Sequence, residues 1–113
     1  MIDVSVLYPL QEGSHFDMEY YRHSHRPLVK EKLGAALKGF SIEQGISGAT
    51  PDDKPRYTVV AHLLFDSHEA FTASFQPHQD EIIKDVANFT DIEPVFQISN
   101  VIVPLEDQDY SRR

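Results

Sequence analysis

The chain has 113 residues, 41% hydrophobic and 11% aromatic, which suits one domain with one core. It contains no cysteine and so must fold without disulfides, which fits a reducing compartment. A formal net charge of −8 with no basic patch disfavours nucleic acid and acidic membranes, and no run nears the roughly 20 apolar residues of a membrane helix. The chain opens directly on alternating residues, without a basic segment leading into a long apolar one, so the expected location is cytoplasmic.

Ile2, Val4, Val6 and Tyr8 alternate with Asp3, Ser5 and Leu7, the period of a half-buried strand, and Pro9 ends it. After a polar connection around Gly13 comes FDMEYYRHSHRPL, residues 16–28, the densest stretch of chemistry in the chain. Asp17 is a helix cap, its carboxylate placed to accept a first-turn N–H. Tyr21 and His25 follow at a spacing of four, with Leu28 or Val29, Leu33 and Ala36 continuing the same face toward the core. His23 stands roughly 200° from His25 on a helix, so the two rings cannot pinch one metal ion.

Pro27 has no N–H for the carbonyl of His23, and predicts a kink or restart of the helix near His25. Two readings of His25 follow. It is either a core-edge histidine satisfied by a backbone carbonyl, or an imidazole on the wall of a pocket, suited to proton transfer.

Residues 37–44 alternate again, with Phe40 and Ile42 on one face. Gly39 and Gly45 are expected at bulges or bends. SGATPDDKP, residues 47–55, reads as a surface loop. Residues 56–65 form the strongest strand, with Tyr57, Val59, Ala61, Leu63 and Phe65 on one face and Thr58, Val60, His62 and Leu64 on the other. Both faces are largely apolar, so both should be covered. His62 either looks into that second covered space or is a tolerated histidine beside a sheet edge.

Ser67 caps a second helix bearing Ala70, Phe71, Ser74 and Phe75, which Pro77 interrupts. Its continuation turns Ile82, Ile83, Val86 and Phe89 inward, with His78 half inward. A last strand spans 91–103, with Ile92, Phe96, Ile98 and Ile102 facing one way and Val95, Gln97, Ser99 and Val101 the other. Gln97 is a polar group among apolar neighbours. Residues 104–113 form a polar tail.

The order βαββαβ is an α+β, ferredoxin-like plan for residues 1–103: a four-stranded antiparallel sheet with two kinked helices on one face. The apolar second face of the third strand predicts a partner, most economically a second copy packed sheet on sheet by two-fold symmetry.

The block at 16–28, together with HQDEIIKDVANFTDIEPVFQISNVI at 78–102, resembles the EthD family, small proteins associated with degradation of alkyl ethers and other organic compounds. Phe16, Asp17, Tyr20, Tyr21, His25, Pro27 and Leu28 match the first motif; His78, Asp85, Thr90, Asp91, Pro94 and Gln97 match the second. The resemblance implies a homodimeric α+β barrel. Its superfamily spans lactone isomerases, polyketide cyclases, cofactor-free monooxygenases and haem enzymes, so the fold does not choose the reaction.

The expected function is therefore a small-molecule catabolic protein, an acid/base enzyme (isomerase, cyclase or monooxygenase-like) acting without cofactor on an oxygen-bearing apolar compound. His25 and His78 are the candidate catalytic residues. Tyr21, His62 and Gln97 are the candidate substrate contacts, and Asp85 either orients a histidine or is a solvated helix residue. The alternative is a non-catalytic accessory protein that binds a pathway intermediate. No HExxH motif is present and no metal is expected, although a site assembled from His25, His62 and His78 stays open.

Overall fold

Alternation along β1 (Ile2–Pro9) turns Ile2, Val4 and Tyr8 into the core, and the same rule organises the other strands. The protein, seen in a computed structural model, is described over residues 1–106, so positions 107–113 of the expected tail lie outside the described residues. β1 lies between β3 (Tyr57–Phe65) and β4 (Val95–Asn100), and β2 (Gly39–Gln44) pairs with the far side of β3. All three pairings are antiparallel, giving the order β2-β3-β1-β4 of an α+β, ferredoxin-like sheet.

The first helical arm covers one face of this sheet. Asp17 caps it as expected, accepting from the Tyr20 N–H at 3.1 Å, and α1 (Met18–Tyr20) follows. The kink expected from Pro27 takes the form of a widened π turn over Tyr21–His25, in which the Arg26 N–H reaches back five residues to the Tyr21 carbonyl. Pro27 then sits in the first turn of α2 (Arg26–Leu33), directly after the π turn. Gly34, at φ 58°, ends the helix.

The second arm repeats the device. Ser67 caps α3 (His68–Phe75), Pro77 lies in a 3-10 turn at Gln76–His78, and α4 (Gln79–Asp85) runs on into another 3-10 turn at Val86–Asn88.

Two clusters make the core. One is mainly aliphatic, with Ile2, Val4, Val29, Leu33, Ala61, Leu63 and Ile82 packed together with Phe65 between sheet and helices. The other is aromatic, with Tyr8, Tyr21, Val59, Phe89 and Ile92, and Phe89 is 0% exposed at its centre.

Around Phe89 the two motif blocks are tied together. The Asp17 N–H donates to the Phe89 carbonyl at 2.7 Å, the His15 N–H donates to Asp91 Oδ1 at 3.1 Å, and the Thr90 hydroxyl donates to the His15 carbonyl at 2.7 Å. These bonds hold residues 90–92 against the start of the first helical arm, which is why the last strand begins at Val95 and not at 91. Ile83, expected inside, is 47% exposed.

Candidate functional site

The carbonyl-satisfied reading of His25 gives way to a carboxylate. His25 leaves the π turn into the core and is 5% exposed, and its Nδ1 lies 2.8 Å from Asp85 Oδ2 at the end of α4. The other oxygen, Asp85 Oδ1, accepts from the Tyr20 hydroxyl at 2.7 Å and from the Asn88 amide at 3.0 Å. Partial burial works to raise the Asp85 pKa, but the bonds from Tyr20, Asn88 and His25 outweigh it and hold the carboxyl below the usual aspartate range. An ionised carboxylate only accepts, so Nδ1 of His25 carries the proton and Nε2 carries a lone pair. Burial lowers the His25 pKa, against the opposing hydrogen bond and charge of Asp85, so the ring is neutral at pH 7.

His25 forms part of the wall of a cavity of about 310 Å³ between the helical arms and the sheet. Its lining is aliphatic and aromatic, including Val4, Val6, Val29, Leu33, Phe71 and Ile82. Tyr8, Tyr21, His25 and Gln79 are the lining residues with polar side-chain atoms.

The Tyr8 and Tyr21 hydroxyls and His25 Nε2 bond to no protein atom among the described residues, yet no buried side-chain polar atom is sealed without a partner. All three residues are among those that line the cavity. Burial raises both phenol pKa values far above the ordinary tyrosine value; the second tyrosine raises Tyr8 further, and Arg26 partly opposes the rise at Tyr21. Both phenols are hydrogen-bond donors at any working pH. Packing fixes the set, with His25 4.6 Å from the Phe89 ring and 5.4 Å from the Tyr21 ring, and Tyr8 6.3 Å from the Tyr21 ring, between centroids. A neutral imidazole with a free lone pair beside two un-ionised phenols can take a proton from carbon or oxygen while a donor holds the resulting oxyanion.

Of the residues singled out from the sequence, Tyr21 and His25 meet in this cavity. His78 is half buried in its 3-10 turn and is not among the cavity-lining residues, whereas its neighbour Gln79 is. His62 and Gln97 project from the opposite face of the sheet, because strand alternation places them with Ser5, their common neighbour on β1. There His62 Nδ1 lies 2.9 Å from Asp3 Oδ2, its Nε2 lies 3.6 Å from Glu43, and the Gln97 amide donates to Ser99 at 3.1 Å. His25, His62 and His78 do not converge, and among the described residues no group of three or more potential metal ligands does. His23 is exposed and pairs with Glu19 at 3.3 Å.

Comparison with known proteins agrees with the motifs. The EthD domain matches residues 14–93. An EthD-like protein from Ralstonia eutropha JMP134 is 41% identical over 95% of this chain and 96% of its own, with a TM-score of 0.89. The chain belongs to the EthD family. An EthD family protein from Bacillus halodurans C-125 shares the fold at 17% identity over 88% of this chain and 97% of its own, with a TM-score of 0.61. So does a dimeric protein of ferredoxin-like fold from Bacteroides fragilis NCTC 9343, at 10% identity over 87% of this chain and 93% of its own, with a TM-score of 0.53. No curated protein matches the sequence. Among the described residues no helix is long and apolar enough to cross a membrane.

Within this EthD chain, sequence reasoning missed Tyr8, Tyr20 and Asn88. Tyr8 reads as one more apolar position of β1, since alternation says which face it takes but not that its hydroxyl ends beside Tyr21. Asn88, three residues after Asp85, had a usable signal, because that spacing sets two helical side chains side by side.

Proposed function

We propose that this chain is an acid/base enzyme that moves a proton on a small, largely apolar carbonyl compound, with His25 as the proton-transfer group. The observation that carries the reading is the orphaned Nε2 of a neutral, Asp85-anchored His25 in an apolar cavity with two unpartnered tyrosine hydroxyls. Nε2 takes the proton from the carbon next to the carbonyl. The C–H electron pair becomes the enolate double bond, and the carbonyl π pair moves onto oxygen, where Tyr8 or Tyr21 donates to it. Where the compound carries a β,γ double bond the enolate is a dienolate, and return of the proton from Nε2 to the γ carbon gives the conjugated isomer and restores the site. Asp85 is a positioning residue, and Tyr20 and Asn88 hold it in turn. The cycle needs no cofactor.

The test is exchange of α-hydrogens in heavy water, followed by NMR across apolar ketones and lactones, for wild type and His25→Ala. Catalysed exchange should fall by about 10²–10⁴-fold in the variant, the span a positioned base contributes. Equal exchange in both proteins would remove His25 from the chemistry. Saturable binding of these compounds without exchange in the wild type would favour an accessory protein that holds a pathway intermediate, a role the apolar lining also suits.

The working unit we infer is a homodimer through the open sheet face, where Leu7, Val60, Leu64 and Val95 lie between the polar groups of β1 to β4. A dimeric neighbour of the same fold supports it, and native mass spectrometry reads it directly.

A further inference from the structure

A second cleft, of about 640 Å³, lies beside the His25 cavity and differs from it in chemistry. Arg22, His23 and Arg26 line it together with Phe40, Ile42 and Gln44, and no carboxylate does. Two arginines thus line this cleft although the chain as a whole has a net charge of −8. Among the described residues neither Arg22 nor Arg26 joins an ion pair, and Glu19, on the same helical arm, pairs with His23 at 3.3 Å.

The two spaces share a wall, since Phe40 lines both. The Arg26 guanidinium stands 5.7 Å over the Phe40 ring, and its charge is felt by the Tyr21 phenol inside the cavity. A cation is thus held at the seam between an apolar chamber and a polar cleft.

We propose that the substrate is an amphiphilic anion, with its apolar, carbonyl-bearing body in the His25 cavity and a carboxylate in the cleft on Arg22 and Arg26. The assignment rests on the cavity being the substrate site. A guanidinium matches a carboxylate in shape and charge, with paired N–H donors in one plane. Phe40 lies where the molecule would cross from one space to the other. The cleft also explains how an acidic protein can accept an anion, because the local field at the mouth opposes the net charge.

Isothermal titration calorimetry with hydrocinnamate and its neutral amide tests this. The two probes share one apolar body and differ in charge. Wild type should bind the carboxylate on the order of tenfold more tightly than the amide, the low end for charge-assisted hydrogen bonds. High salt should shrink that preference. In Arg22→Gln/Arg26→Gln the carboxylate should fall to within about twofold of the amide. Equal affinity of both probes for wild type, or a preference that survives the double variant, would overturn the carboxylate site while leaving the cavity reading intact. Failure of wild type to bind either probe would overturn the cavity reading and this inference with it.

Discussion

Replacing Asp85 by Asn tests whether the carboxylate decides which nitrogen of His25 carries the proton. In the native site Asp85 accepts from Nδ1 at 2.8 Å, and Nε2 is left free at the cavity. An amide offers one accepting oxygen and one NH₂ group. The oxygen is already claimed by Tyr20 at 2.7 Å and Asn88 at 3.0 Å, so the NH₂ turns to His25. Nδ1 must then accept, and the proton moves to Nε2, the nitrogen proposed to act as base. One charge-assisted bond between groups 6% and 13% exposed becomes a neutral bond. The cost is about 1–2 kcal/mol, or roughly 4–8 °C in Tm for a chain of this size. The decisive assay is nitrogen NMR of the imidazole. Asp85→Asn should move His25 from the Nδ1-H to the Nε2-H tautomer and cut any exchange activity with it. A folded variant whose His25 keeps the native tautomer would refute the reasoning, because Asp85 would then be a packing partner only.

Three further outcomes follow from the same geometry. Burial holds the His25 pKa below the ordinary histidine value of 6.5 in the native state, so the unfolded chain binds its proton first as pH falls. Its contribution to stability is complete above about pH 6.5 and is lost as pH drops through the lowered native value; thermal melts from about pH 7.5 to 5 should show this slope, flattened in His25→Gln. Phe89→Ala removes a fully buried ring that touches Tyr8, Tyr21 and His25, and should cost about 3–5 kcal/mol in urea unfolding while loosening the His25 ring. Gly45→Ala should cost about 1–3 kcal/mol by the same measurement, because the new methyl group would meet the Tyr57 carbonyl oxygen and the Pro55 ring.

Local rules written in the chain determined the elements. Alternation in β1 and β3, the caps Asp17 and Ser67, and the interrupting prolines at 27 and 77 act over a few residues, and all appear in the structure. They also placed Tyr21 and His25 on one inward face, four residues apart. A strand shows its two faces by period alone, but the period does not say which face is the site. His62 and Gln97 were chosen by chemistry, and the sheet holds them on the side away from His25. Tertiary structure decided the partner of His25. Asp85 is 60 residues further along the chain, and only the packing of the second helical arm beside the π turn brings its oxygen to 2.8 Å. Tyr8 joined the site in the same way, through the seat of β1 at the centre of the sheet. The chain could specify each group's own conformation, because that depends on neighbours a few bonds away. The proton on His25 depends on a carboxylate that reaches it only once the two arms have packed.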